Sequence, residues 1–267
     1  MKYFLIDSGN QKKFERFGDY AIVRPCSQAL WKPSLPDWDD ADAYFSRIEG
    51  KGWEGRLSKS WIIEHDGLKF NLAPTDFGHL GIFPEHSSLW SWAEGLITKG
   101  ASILNLFAYS GGATLAFARA GAQVCHVDAS QGMVKWAREN AELNGLQDCP
   151  IRWIVDDVTK FLQRELRRGR RYDGILLDPP SFGRGAQGEV FKIERDLGPL
   201  LQLCKELLPD QPLFLACSNH TNGISPIVMG HLFEEILPGR AEVGELVLPA
   251  SQGRDIPTGT YARWKRC

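Results

Sequence analysis

The chain has 267 residues, 43% hydrophobic and 24% charged, with a formal net charge of −2 and a pI near 6.3. These values are those of an ordinary globular protein and exclude one drawn to nucleic acid by its overall charge, so a nucleic-acid partner needs a local basic surface. No apolar run approaches the roughly 20 residues that span a bilayer, the first residues turn polar too soon for a secretory signal, and Cys26, Cys125, Cys149, Cys204, Cys217 and Cys267 form no Cys-x-x-Cys pair.

That cysteine usage argues against a zinc ribbon or a disulfide framework and fits a reducing cytoplasm, with no membrane and no metal among the expected partners. Residues 1–85 read as a small β-rich appendage. Tyr3–Ile6, Lys13–Phe17, Tyr20–Arg24, Trp61–His65 and Leu68–Leu72 are strand-like runs, and Asp66-Gly67 is a two-residue hairpin turn. Trp31–Asp42, rich in Pro, Trp and Asp, reads as an irregular loop. Residues 86–267 are expected to form one further domain. There Ser102–Phe107, Val124–Asp128, Ile151–Val155, Gly174–Asp178 and Leu213–Cys217 alternate with helical stretches such as Met133–Leu143. Alternation of this kind predicts an α/β fold: a Rossmann-like, doubly wound, mostly parallel sheet. Glu242–Leu248 and Thr260–Trp264 have no clear helix between them and predict a late antiparallel hairpin at its edge.

The segment from Ile103 to Asn144 carries most of the chemistry. An apolar strand containing Asn105 and Phe107 runs into the turn Tyr109-Ser110-Gly111-Gly112, a helix follows with Thr114 in its first turn, and the next strand ends on Asp128, 17 residues after Gly111. Glycines allow close backbone approach, a helix start offers unpaired N–H groups, and a strand-end acid can hold a ribose diol. Gly-x-Gly-x-x-Gly is absent, which disfavours a pyrophosphate and an NAD-dependent dehydrogenase. A ligand without phosphates, such as S-adenosyl-L-methionine, fits better. The turn alone is equally a strand–helix joint of any α/β domain; the other strand ends tip the balance.

Ala129 and Ser130 start the helix after Asp128, and the third strand ends near Asp156-Asp157-Val158. There a carboxylate could accept from an adenine amine and Val158 could lie against its ring, although Asp157 taken alone reads as a helix cap. The fourth ends on Asp178-Pro179-Pro180-Ser181-Phe182 and the fifth on Cys217-Ser218-Asn219-His220. Two prolines stiffen the backbone beside an aromatic ring on which a base could stack.

These motifs, with Asn140-x-x-x-Asn144-Gly and the upstream Gly81-Ile-Phe83-Pro-Glu85-His, resemble the class I S-adenosylmethionine-dependent methyltransferases. More narrowly they are similar to the bacterial 23S ribosomal RNA base methyltransferases that make 5-methylcytosine or 7-methylguanine, over roughly residues 65–235. The resemblance implies that Asp128 holds the ribose hydroxyls, Asp157 the adenine amine and Tyr109–Gly112 the methionine end. It also implies that Phe83 and Glu85 close over the cofactor and that Asp178 faces the reacting methyl. The chain departs from the pattern at Ser87, where the family carries an arginine, and offers only the short β-rich region where the family has an RNA-binding domain. The 5-methylcytosine makers also end their fifth strand on a nucleophilic Cys. Asn219 stands at that position here, and Cys217 lies two residues earlier, on the same face of a strand. Carbon-5 chemistry needs such a thiolate, a nitrogen acceptor does not, and Cys217 is as readily strand core.

A basic run of Arg164, Arg167, Arg168, Arg170 and Arg171, six tryptophans within the first 92 residues and the glycine-rich segment 183–188 could meet RNA. A solvated helix face is the usual explanation of the arginines, core or interdomain packing the more frequent role of the tryptophans, and the segment could simply be a surface loop. The expectation is a methyltransferase of a nucleobase, with ribosomal RNA as partner and a monomer or homodimer as the assembly. A methyltransferase of a small molecule or protein, or a non-catalytic nucleotide- or RNA-binding module, are the alternatives.

Overall fold

Short runs of alternating apolar and polar residues fold the first part of the chain into β-structure. In the computed structural model, which describes residues 2–47, 50–184 and 188–266, β1 (Tyr3–Gly9), β2 (Lys12–Phe17), β3 (Tyr20–Pro25), β4 (Ala43–Ser46) and β5 (Gly52–Gly55) form one sheet in that order. β6 (Trp61–His65) and β7 (Leu68–Leu72) pair as a hairpin. Its turn residues Asp66 and Gly67 take φ of 53° and 71°, the left-handed pair that a two-residue hairpin turn demands. β4 and β5 had no sequence signal, because four-residue strands are too short to show alternation.

Trp31–Asp42 is irregular, as read, and a buried carboxylate organises it. Asp7 accepts hydrogen bonds from the Ser34 and Leu35 backbone N–H groups at 3.0 and 2.9 Å and from Trp38 Nε1 at 3.2 Å. Across β2 and β3, Arg24 donates to both Glu15 oxygens at 2.8 and 2.9 Å. Burial alone would raise the Glu15 carboxyl, but Arg24 and Lys13 beside it hold it below the usual range.

The chain divides into two compact units, Met1–Glu85 with Val247–Thr258, and His86–Leu246 with Gly259–Cys267. The sequence placed Val247–Thr258 with the second. Backbone pairing carries it to the first instead: the Ser251 and Gln252 N–H groups donate to the Leu5 and Ile6 carbonyls at 2.8 and 3.0 Å.

In the second unit α1 (Ser87–Glu94), β8 (Ser102–Leu106), α2 (Gly112–Arg119), β9 (Gln123–Asp128), α3 (Gln131–Leu143), β10 (Ile151–Val155), α4 (Val158–Arg167) and β11 (Gly174–Leu177) alternate as expected. Then come a small ribbon, β12 (Phe182–Arg184) with β13 (Val190–Lys192), followed by α5 (Ile193–Leu207), β14 (Phe214–Asn219), α6 (Pro226–Glu234), β15 (Glu242–Leu248) and β16 (Ile256–Lys265). Gly185, Ala186 and Gln187 of the glycine-rich segment, and Cys267, lie outside the described residues. The main sheet has the order β10-β9-β8-β11-β14-β16-β15, parallel from β10 through β14, with β16 antiparallel to β14. It is a Rossmann-like sheet closed by the expected late pair. Its apolar strands bury one set of alternate residues, among them Leu104, Leu106, Ile175, Leu177, Leu215 and Cys217, against α4, α5 and α6. Residues of the opposite alternation meet α1 and α2: Phe214 packs on Phe117 and Trp92, with ring centroids 6.1 and 5.8 Å apart.

His126 belongs to that second set. It is fully buried, Thr114 Oγ1 lies 2.9 Å from its Nδ1, and burial pushes its imidazole down to about 3. The unfolded chain therefore takes up a proton below about pH 6.5 that the folded chain refuses, and stability falls as pH drops toward 3. Urea unfolding between pH 6.5 and 5 is expected to show this loss, at most about 1.4 kcal/mol per pH unit from this one histidine. His126→Gln is expected to reduce the slope and leave the share of His79, which burial pushes down to about 4; an unchanged slope would contradict the assignment.

Candidate active site

Parallel register brings the strand ends to one edge. Leu106 lies beside Val127 of β9 and Leu177 of β11, so the turn after β8, Asp128 and Asp178 share the carboxyl end of the sheet. The chain reverses winding direction between β8 and β11, where such sheets take their ligands.

The turn after β8 is strained. Phe107 and Tyr109 take φ of 54° and 49°, a left-handed conformation that costs a non-glycine residue roughly 1–2 kcal/mol. Asp128 holds it: Oδ2 accepts the Tyr109 N–H at 2.9 Å and Oδ1 accepts the Ser130 N–H at 2.8 Å. Asn140 Nδ2 adds a bond to the Ser110 carbonyl at 3.0 Å. Burial raises the Asp128 carboxyl above the ordinary value, against the opposing pull of the two N–H groups. Each carboxylate oxygen has a further acceptor site. Ala129 and Ser130 stand exposed just beyond it, and Ser130 caps α3.

Both glycines are also required by packing. Gly111 takes φ of 94°, and a Cβ there would come within 3.0 Å of Ala137 Cβ; one on Gly112 would lie 2.5 Å from the Trp90 ring. Asn105 and Thr114, expected at a cofactor, are buried and engage one another at 2.9 Å. Val158 is core beneath α4 rather than a wall for a ring. Asp157 caps α4 by accepting the Lys160 N–H at 2.9 Å, and Asp156 pairs with Arg164. Phe107 packs against Phe191, with ring centroids 5.5 Å apart. Phe83 and Glu85 belong to the first unit, where they line a cavity of about 280 Å³ with Arg24 and His79.

Asp178 sits in a cluster that the sequence reading left unassigned. Ser218 Oγ donates to its Oδ1 at 2.7 Å, His220 Nε2 lies 3.6 Å from that oxygen, and His86 Nδ1 lies 3.7 Å from Oδ2. The two imidazoles meet at 2.8 Å between their Nε2 atoms. Strand alternation explains both the addition and a correction. Ser218 points to Asp178, whereas Cys217 and Asn219 point away. Cys217 is fully buried among apolar side chains, and burial raises its thiol well above the usual range. Asn219 is tied to the Ile224 carbonyl and Thr260 Oγ1, both at 3.3 Å, and accepts the Thr221 N–H at 2.9 Å. Of the proline lip, Pro179 is buried, Pro180 is exposed and the Phe182 ring is 50% exposed, with the Arg184 guanidinium over it. The strand-end aspartates were legible by position; the histidines were not, because His86 and His220 approach Asp178 only in three dimensions.

The end of the basic run is elsewhere. Arg170 and Arg171 line a cavity of about 330 Å³ with Ser102, Gln123 and Ile151, at the amino ends of β8, β9 and β10. The early tryptophans pack and cap: Trp53 and Trp61 donate to the Thr75 and Phe17 carbonyls at 2.7 and 3.0 Å.

A sheet of this order, with a polar cluster at its switch point, defines a Rossmann-like methyltransferase architecture. Residues 46–238 match the family model for S-adenosylmethionine-dependent methyltransferases, and the chain belongs to that family. It superposes on the crystal structure of the SAM-dependent methyltransferase from Agrobacterium tumefaciens with a TM-score of 0.95 and 41% identity, covering 99% of this chain and 90% of that one. Ribosomal RNA large subunit methyltransferase K of Neisseria meningitidis is 30% identical over 62% of the chain. Ribosomal RNA large subunit methyltransferase I of Aeromonas salmonicida is 32% identical over 74%. The chain spans 47% and 50% of those two proteins, about half their length.

The contact of Gly112 with Trp90 gives a stability test. Gly112→Ala is expected to cost about 1–3 kcal/mol by overpacking against the ring, read as a lower denaturant midpoint at unchanged slope. A neutral result would contradict the packing role.

Proposed function

We propose that this protein transfers the methyl group of S-adenosylmethionine to a nucleobase of ribosomal RNA. The observation that carries the reading is the pairing of Asp128 and Asp178 at one edge of the sheet, on either side of the strained turn. The names of the Neisseria and Aeromonas relatives support the substrate class.

In this reading Asp128 accepts the two ribose hydroxyls with the acceptor sites its backbone bonds leave open. The Tyr109–Gly112 backbone and the start of α2 receive the amino-acid tail. Asp157, through its uncapped oxygen, receives the adenine amine. When bound, S-adenosylmethionine supplies an electrophilic methyl on a sulfonium. Asp178, fixed by Ser218, accepts hydrogen bonds from the target base and holds its reacting atom in line. Pro179 and Pro180 keep that ledge rigid, and the exposed Phe182 ring gives a base a face to stack on. The first unit serves substrate recognition, and the setting is the bacterial cytoplasm.

The acceptor is a nitrogen. Methylation of carbon-5 of cytosine requires a thiolate addition to carbon-6, whereas Cys217 is buried with its thiol pushed up. A ring or exocyclic nitrogen already has its lone pair and needs positioning alone.

The decisive experiment incubates the protein and labelled S-adenosylmethionine with large-subunit RNA from a strain lacking it, then digests the RNA for nucleoside mass spectrometry. A labelled N-methylated nucleoside is expected; labelled 5-methylcytosine would overturn the nitrogen assignment, and no label in RNA would overturn the substrate. Cys217→Ala is expected to keep turnover within about threefold, which the same assay measures.

Cofactor affinity should follow Asp128. Because burial raises its pKa, the accepting carboxylate is lost at a higher pH than an ordinary aspartate would allow. Binding of S-adenosylhomocysteine, followed by calorimetry, is expected to weaken as pH falls through that raised value. Asp128→Asn is expected to weaken it roughly 10- to 100-fold at neutral pH, the worth of a hydrogen bond to a charged group. Wild-type affinity in a folded Asp128→Asn variant would contradict the role.

A further inference from the structure

We propose that His86, Asp178 and His220 form a binding site for a divalent transition ion of the zinc class, at the carboxyl edge of the second unit's sheet. One ligand atom from each of the three residues lies within 4.8 Å of the other two. Two imidazole nitrogens and one carboxylate oxygen are the donor set such ions take, and three protein ligands leave positions for water or substrate. The Nε2 atoms of the histidines are 2.8 Å apart. Two nitrogens bound to one tetrahedral ion at about 2.0–2.1 Å would stand about 3.4 Å apart, so a small opening of the pair admits it.

The shell around the three ligands is built to hold them. Ser218 Oγ donates to Asp178 Oδ1 at 2.7 Å, which orients the carboxylate as metal-site partners do. Gly259 of β16 fixes the other side. A Cβ there would lie 2.6 Å from the Asn219 carbonyl oxygen and 2.7 Å from His220 Nδ1, so only glycine leaves the His220 ring its place. With Nδ1 against that backbone, Nε2 is the nitrogen presented to His86 and Asp178. His86 comes from the residue before α1, Asp178 from the end of β11 and His220 from the end of β14. No metal spacing exists in the sequence because three separate elements supply the ligands.

The inference rests on the methyltransferase reading only for its consequence. An ion on Asp178 would sit where the acceptor base is held, so an open coordination position could take the acceptor's oxygen or nitrogen. Binding itself is independent of the cofactor.

The test titrates the metal-free full chain with Zn²⁺ against a chromophoric chelator, and with Co²⁺ followed by its visible d–d absorption, both without S-adenosylmethionine. One equivalent is expected to bind with the spectrum of a nitrogen–oxygen site. His86→Ala and His220→Ala are each expected to weaken binding at least tenfold. Ser218→Ala and Gly259→Ala should weaken it by smaller factors, and each variant's thermal midpoint establishes that it is folded. Cys149→Ser, at a free and partly exposed thiol, should leave the affinity unchanged. No binding, affinities unaffected by both histidine changes, or dependence on Cys149 would overturn the site. Calorimetry with S-adenosylhomocysteine on the same metal-free sample separates the two readings, since retained cofactor binding without metal binding sinks the metal site alone.

Discussion

One half-buried carboxylate holds the site together. Asp128 binds the N–H of Tyr109 from the turn after β8 and the N–H of Ser130 from the start of α3, and so joins the ends of two neighbouring strands. The turn needs that support because Phe107 and Tyr109 both sit in the left-handed region, which bulky side chains avoid. Strain of this kind persists where surrounding structure over-determines it, and it concentrates at ligand sites. Asn140 from α3 and the close contact of Gly111 with Ala137 supply the rest of that constraint. The carboxylate is thereby fixed before any ligand arrives, with acceptor capacity to spare.

The two-residue period of the strands then decides which side chain at each strand end can do chemistry. On β14, Leu215 and Cys217 go to the core beneath α5 and α6, and Asn219 fastens the loop that leads to α6. The alternate position, Ser218, reaches Asp178. A shift of one residue would have placed a thiol beside the acid and suggested covalent chemistry. The register observed gives instead a hydroxyl, a carboxylate and two imidazoles, groups that can position a base and accept its hydrogen bonds, without the thiolate that carbon-5 chemistry uses.

The fold was legible because its signals are local. Apolar runs broken by helices at regular spacing give a parallel sheet, and Asp66-Gly67 gives its hairpin. What escaped was short or distant: β4 and β5 carry too few residues for a pattern, and Val247–Thr258 joins the first unit through backbone pairing with Leu5 and Ile6 that no side chain announces. At the site, position along a strand located Asp128 and Asp178, yet residue type misled at Asn105, Thr114 and Val158, which turn inward. A polar residue at a strand end can satisfy a buried neighbour as readily as a ligand. Asp157 shows the overlap: one of its oxygens caps α4. The histidine pair was invisible, since His86 and His220 are brought together by the fold alone.

A crystal structure of the protein with S-adenosylhomocysteine tests the central claim most directly. The ribose hydroxyls are expected within hydrogen-bond distance of the Asp128 carboxylate, the amino-acid tail on the Tyr109–Gly112 backbone, and the sulfur directed toward Asp178. A ligand seated away from this turn, with Asp128 making only its two backbone bonds, would contradict it.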